Sequence, residues 1–209
     1  MSRVPTVSDE AIYDAARNVM MKRGPDAFTL AEVAGEVGLS RAAIILRFKS
    51  THALKVSLLE KMVEQFESAI DKLPKQPGAE NLVRVAAFIG SILPPRESLT
   101  FFFSTYSRNM QDQDLVQLEI RRGMALREAI ARVMPKTVLS KEASVHSFNA
   151  FMGGTILDWQ ARTEVDAQTY LVARAREWLK LAGLDKVNTR RRKPAVEGAT
   201  RTGTSGNKS

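Results

Sequence analysis

The 209-residue chain contains no cysteine, which excludes disulfides, thiolate nucleophiles and cysteine-bound zinc. It has two histidines, His52 and His146, and no second histidine or cysteine lies near His146 to complete a metal site. The glycine loops that cradle nucleotide phosphates, GxGxxG and GxxxxGK[ST], are absent as well. No residue set nominates a reaction, so neither an enzyme nor a bound cofactor or metal is expected. No apolar run approaches the ~20 residues of a membrane span. Asp9, Glu10, Asp14 and Arg17 interrupt the stretch where a signal peptide would need an apolar core. A soluble, cytoplasmic protein without a membrane partner is the expectation. β-alternation of useful length is also missing, which leaves helices.

The formal charge of +8 is unevenly placed. Residues 1–66 hold nine Lys/Arg against eight Asp/Glu, residues 67–185 fifteen against fourteen, and residues 186–209 seven against one. Bulk basicity is therefore a property of the tail and says little about the folded part. One window inside the balanced region is different. Val37 to Leu59 contains no acidic residue but carries Arg41, Arg47, Lys49, His52 and Lys55. A short one-sign patch suits phosphate binding, and a solvated helix face is the alternative.

Helical periodicity runs through the chain and predicts about nine helices. Ile12, Ala15, Ala16, Val19 and Met20 share one face of a first helix, capped by Ser8 and ended by Gly24-Pro25. A short helix follows from about Leu30 to Val37 with Thr29 as its cap, and another runs from Arg41 to about Phe48, capped by Ser40. A long helix then spans about Thr51–Asp71, with the stripe Leu54, Leu58, Met62, Phe66 and Ile70. Five further stripes begin at Leu82, Leu99, Leu115, Phe148 and Leu171. The tail after Asp185, rich in Gly, Thr, Ser and Arg, is expected to be disordered. This gives an all-α fold in three parts. They are a three-helix DNA-binding domain at 6–66 with its motif at 29–48, a helical domain at 67–185, and a basic tail at 186–209. The long helix is shared across the boundary near residue 66.

The segment Thr29–Phe48 reads TLAEVAGEVGLSRAAIILRF and has helix-turn-helix spacing. Val33, Val37, Leu39 and Ile44 are apolar where two short crossed helices bury them, and Ala34 is small where they meet. Gly38 stands where the turn needs a left-handed residue, a conformation that costs other residues roughly 1–2 kcal/mol. Ser40 caps the second helix, which presents Arg41, Ala42, Ala43, Ile45 and Arg47 outward. A helix of this size enters the major groove with its N-terminal residues at base edges. Ile45 there either meets a thymine methyl or packs against its neighbours.

With these residues the chain resembles the tetracycline-repressor-like (TetR/AcrR) family. The family's N-terminal pattern stands here as Ile12, Ala15-Ala16, Gly24, Thr29, Val33-Ala34, Gly38-Leu39-Ser40, Phe48 and Leu54. Beyond about residue 60 the likeness is architectural, with GGTILDW and YLVARAREWLKLAGL near the end. The resemblance implies a homodimer that binds operator DNA. Its last two long helices would form the interface, and its middle helices would enclose a small-molecule effector pocket. Ligand-relieved repression is the expected mode. Two positions depart from the family: Ile45 replaces a usual aromatic, mostly tyrosine, and Thr51 replaces a usual lysine, so two phosphate contacts are missing. Arg47, Lys49 and His52 are candidates to compensate. The expected DNA-contacting set is Thr29, Ser40, Arg41, Ala42, Ala43, Ile45, Arg47, Lys49, Thr51 and His52.

Phe101-Phe102-Phe103 cannot all face one side of a helix, because successive positions turn by about 100°. A second apolar surface is implied. Phe102, Phe103, Tyr106, Met110, Phe148 and Met152 are the expected lining of a pocket for a mostly apolar ligand. Gly153-Gly154, inside a strong helical stripe, suggests a close helix approach, with a kink as the alternative. With Trp159 and Trp178 they form the expected dimer interface. Arg190-Arg191-Arg192-Lys193 is read as a solvated run able to add weak, salt-sensitive DNA attraction. A helical ligand-binding or protein-interaction dimer with degenerate DNA binding is the competing reading.

Overall fold

The structure, a computed structural model, describes residues 7–184 except Thr163. The basic tail, including the Arg190–Lys193 run, lies outside the described residues. Among the described residues there is no strand, and nine α-helices follow one another. They are α1 (Asp9–Arg23), α2 (Leu30–Glu36), α3 (Arg41–Phe48), α4 (Thr51–Asp71), α5 (Ala79–Ile92), α6 (Leu99–Asn109), α7 (Gln113–Val133), α8 (Lys141–Gln160) and α9 (Ala167–Leu181). A 3-10 turn at Arg96–Ser98 leads into α6. No described helix is long and apolar enough to cross a membrane.

The N-terminal helices close around Ile12, Ala16, Val33, Ile44, Phe48 and Leu54, with Tyr13 meeting the Phe48 ring edge-on at 5.7 Å. Burial together with the carboxylates of Asp9 and Glu10 pushes the Tyr13 phenol above its usual value. α4 then changes partners. Leu54 and Leu58 belong to the N-terminal core, whereas Leu59 and Val63 pack against Leu115 of α7. This change comes about two turns before residue 66.

The second core lies between α5, α7, α8 and α9. It holds Leu82, Val85, Ala86, Ile130, Val133, Phe148, Met152, Leu171, Ala175 and Trp178. α5 and α9 come so close that a Cβ on Gly90 would lie 2.5 Å from Gln168 Cα. A smaller cluster of Leu99, Trp159 and Ala167, flanked by Phe102 and Phe103, seats α6 against the α8–α9 loop.

Candidate DNA-binding surface

α2 and α3 are placed by short-range chemistry. The Thr29 hydroxyl accepts the Glu32 N–H at 3.2 Å, and the Glu32 carboxylate accepts the Thr29 N–H at 2.9 Å, a complete capping box. The Thr29 hydroxyl also donates to that carboxylate, and these bonds, with Arg23 beside them, hold Glu32 below its usual carboxylate range. Gly38 takes the left-handed turn with φ +68. The Ser40 side chain accepts the Ala43 N–H at 3.1 Å, opening α3. Ile44 and Phe48 bury one face of α3 and leave the other to solvent.

On that open face Arg41 and Ala42 are exposed at the first turn, and Arg41 has no ion-pair or hydrogen-bond partner among the described residues. Ala43 is half-buried. Ile45 is not the outward residue expected from the sequence: it is half-buried and packs on the N-terminal core. The exposed apolar residue is its neighbour Leu46, at 75% exposure, one turn after Ala42. The register of α3 on α1 and α4 decides between the two, and the only signal in the sequence is the 100° step from Ile44.

Not every cation of the acid-free window is free. Arg47 donates to the Val7 carbonyl at 2.7 Å and pairs with Asp9 at 3.4 Å, so it holds the start of α1 rather than standing clear for a phosphate. His52 lies between Asp114 at 2.9 Å and Asp112 at 3.5 Å, both in the segment that opens α7. Lys55 lies 3.7 Å from Asp26, which also meets Arg108 at 3.1 Å. The window lacks carboxylates in sequence, but the fold supplies them from α1, the α1–α2 loop and α7.

Lys49 stays exposed and donates to the Leu46 carbonyl at 3.1 Å. It is the one non-glycine with positive φ among the described residues, at φ 65 and ψ −48, and its turn closes with Ser50 N–H on the Phe48 carbonyl at 2.7 Å. This is a γ-turn, a strained conformation for an L-residue. Thr51 follows, half-buried at the start of α4, where Ser50 caps by accepting the Ala53 N–H at 3.0 Å.

This geometry coincides with a family match: residues 12–57 fit the profile described as bacterial regulatory proteins, tetR family. The N-terminal domain belongs to the tetR family. The described residues also have the fold of tetR-type regulators. A TetR transcription regulator from Haloarcula marismortui superposes with a TM-score of 0.68 at 16% identity, covering 84% of this chain and 96% of that one. A transcriptional regulator from Saccharomonospora viridis, solved with choline, gives 0.66 at 14% identity, with 82% and 95% covered. FadR from Bacillus subtilis, solved with stearoyl-CoA, gives 0.60 at 20% identity, with 84% and 97% covered. No curated protein matches the sequence. The family is one of transcriptional regulators rather than enzymes.

Elsewhere the structure redistributes the expected site residues. The six pocket candidates do not all come together in one lining. Phe148 and Met152 are buried in the second core, the former edge-on to Trp178 at 5.1 Å. Phe102 and Phe103 flank the Leu99–Trp159 cluster, while Tyr106 and Met110 lie on the outside of α6. The reason is the close packing of α8 against α9, which fills the space the stripe suggested.

Both tryptophans expected at a dimer interface are buried inside the protomer. Trp159 donates its indole N–H to the Val165 carbonyl at 2.9 Å beneath the Arg96 guanidinium, and Trp178 donates to Ser147 Oγ at 3.3 Å. A buried indole needs a partner for its N–H, and here the α8–α9 loop and α8 supply one within the chain. Gly153 and Gly154 are exposed, with open space where a Cβ would stand. His146 is exposed on α8.

One grouping was not anticipated. His52, Asp112 and Asp114 bring one ligand-type atom each within 4.8 Å of one another. Asp112 Oδ1 is committed to capping α7, accepting from the N–H groups of Asp114 and Leu115. The Leu115 N–H is the main reason that this carboxyl stays below its usual range.

Proposed function

We propose that the chain is a homodimeric transcriptional regulator that grips an operator through two α3 helices and responds to a small-molecule effector held by the α5–α9 body. The observation that carries this reading is the free N-terminal turn of α3. A partnerless Arg41 and an exposed Ala42 stand on a helix fixed by a cap and a glycine turn, with Leu46 one turn on. Arg41 is placed to read a guanine edge, and Ala42 and Leu46 suit thymine methyls. Thr29, Ser40, Ala43, Lys49 and Thr51 border this face as backbone-contact candidates.

The dimer is attributed to the outer side of α8. Ala143, His146, Ala150, Gly153 and Leu157 are all exposed and recur at spacings of three and four, and Leu181 at the end of α9 is 83% exposed. Such a small-residue seam lets a partner helix approach closely. The relatives solved with choline and stearoyl-CoA support an effector in the body. Repression relieved by that effector is the mode assigned.

Coupling would run through α4. His52 and Lys55 at its start are tied to Asp112, Asp114 and Asp26, and Arg121 of α7 grips Glu67 near its end with contacts of 2.8 and 2.5 Å. An effector that moves α6 or α7 would therefore pull on the DNA-binding domain.

The test is selection of bound sequences from random duplex DNA, followed by a salt titration. A palindromic consensus supports a symmetric regulator. Counting only Lys49 in each protomer as a phosphate contact predicts roughly two neutralised phosphates and a slope of about −1.8 in log K against log salt. The engagement of Arg47 and His52 inside the chain favours the second reading, a dimer with degenerate DNA binding. Equal affinity for selected and random DNA would establish that reading instead.

A further inference from the structure

The interface of α6 and α7 contains a buried charge that the DNA-binding role does not explain. Glu119 of α7 sits on the inner face of its helix, and its side chain is 2% exposed. One carboxylate oxygen accepts from Asn109 Nδ2 at 2.8 Å, and Asn109, the last residue of α6, is itself buried. The other oxygen meets Arg122 Nη2 at 2.5 Å, yet it receives no properly directed hydrogen bond. The Arg122 guanidinium hangs over two rings of α6, 5.8 Å from the Phe102 centroid and 6.0 Å from that of Tyr106. Thr105, on the same helix one turn before Asn109, carries a buried hydroxyl without a partner.

A carboxylate at the base, two aromatic faces and spare polar capacity make a receptacle for a positive charge. Arg122 fills it from the chain's own α7, with an ion pair that is close but badly aimed. We infer that the Glu119–Phe102–Tyr106 box is a binding site for a small organic cation, and that Arg122 is the occupant such a cation displaces. This rests on the proposed role of the body as an effector domain and names the chemical class of the effector.

The charge balance selects a cation over an anion. An anionic ligand would draw Arg122 away and leave Glu119 buried and unpaired, the most costly arrangement for such a group. A cationic ligand keeps Glu119 paired and sends Arg122, on a flexible stem already 20% exposed, into water. A hard metal ion is disfavoured because it asks for six or more oxygen ligands, and the walls here are aromatic rings. Tyr106, 41% exposed, places the mouth of the box at the surface.

The probe is benzyltrimethylammonium, with its neutral neopentylbenzene analogue and benzoate as controls. Binding to the full-length chain is followed by calorimetry without DNA. The wild type is expected to bind the cation and neither control. Arg122→Ala, which empties the box, should bind it at least tenfold more tightly and recover thermal stability in its presence. Glu119→Gln keeps the shape and hydrogen-bonding size of the side chain, and should lose the cation while folding normally. If Glu119→Gln binds the probe as the wild type does, or if benzoate binds in its place, the inference is overturned. So it is if the cation neither binds the wild type nor restores Arg122→Ala. DNA affinity is measured separately on the same proteins. A chain that binds the cation without any change in DNA affinity retains the site and loses the regulatory reading. A chain that selects an operator but ignores the cation does the reverse.

Discussion

The helices of the N-terminal module and the first two helices of the body, α5 and α6, are held in place by different means. Every helix of the module starts with a side-chain cap: Ser8, Thr29, Ser40 and Ser50 each accept a backbone N–H from the first turn of the helix. In the body, Asp112, Ser140 and Asp166 cap α7, α8 and α9 in the same way, but α5 and α6 begin at Gly78 and Ser98 with no side-chain cap, and their positions are set by what they bury. A recognition helix must sit at a defined angle and register on DNA, and local capping gives that definition independently of distant contacts. A body that yields to a ligand, as proposed above, does better where helices such as α5 and α6 are held by packing that can be rearranged.

The largest test of this contrast is Phe148→Ala. The ring is fully buried against Trp178, so its removal should cost about 3–5 kcal/mol in urea unfolding. Ser40→Ala removes one cap and should cost about 1 kcal/mol, while lowering DNA affinity more than Phe148→Ala does at temperatures where both are folded. Equal stability losses would break the comparison.

A pair of glycines sharpens it. Gly90→Ala forces a Cβ against the α9 backbone and should destabilise by about 1–3 kcal/mol. Gly153→Ala meets nothing within the protomer and should stabilise α8 by up to about 1 kcal/mol in the isolated protomer. Sedimentation of Gly153→Ala then reports on the proposed seam: a weaker dimer places a partner helix there, and an unchanged dimer removes it.

Two arginines of α3 separate reading from holding. Arg41→Ala should lose about 1–3 kcal/mol of preference for the selected operator over its variants at one base pair per half-site. Arg47→Ala should leave that preference intact and loosen the start of α1, since the substitution breaks the hydrogen bond to the Val7 carbonyl. Operator-variant binding curves and proteolysis of the N-terminal segment distinguish the two. A loss of base preference in Arg47→Ala would reverse the assignment.

These cases also show which parts of the molecule were legible in the chain. Gly38, Ser40 and Thr29 act through neighbours within a few residues, so their roles follow from spacing alone. The Ile45–Leu46 exchange could not be read, because a 100° step on a two-turn helix leaves the flank undecided until α1 and α4 are in place. The partners of Arg47 and His52 are 38 to 62 residues distant, and no local pattern announces them. Trp159 and Trp178 have stripe spacing that suits a core or an interface equally, and only the loop carbonyl and Ser147 resolve which. Glu119 left a faint trace: Leu115, Leu118 and Arg122 form an apolar stripe broken by charge, and charges on a buried stripe come paired.

The α4–α7 seam joins the two regions and should respond to acid. The Leu115 N–H lowers the Asp112 carboxyl, and Arg121 lowers that of Glu67. A carboxyl depressed in the folded state contributes stability above its unfolded value and loses it as pH falls through the folded value. The seam should therefore hold at neutral pH and weaken below about pH 4. Glu67→Gln should flatten the acid limb of an unfolding-against-pH curve. A limb unchanged by this substitution would place the acid sensitivity elsewhere.

The smallest expected effect lies within the module itself. Lys49 holds a strained γ-turn at φ 65 between the recognition helix and α4, and it presents an exposed charge beside the DNA face. Strain and charge are separable. Lys49→Ala removes the charge and keeps the strain, whereas Lys49→Gly removes both. Each should reduce the salt slope by about 0.9 per protomer if Lys49 contacts one phosphate. Only Lys49→Gly should gain stability, by less than about 1 kcal/mol, because the relief is partly offset by the greater freedom of glycine in the unfolded chain. If the two variants are equally stable, the turn is not strained, and the lysine is kept there for its charge alone. If Lys49→Gly is more stable yet binds DNA more weakly than Lys49→Ala, the rigid turn itself sets the angle of α3, and the local definition that distinguishes the module from the body extends to its last loop.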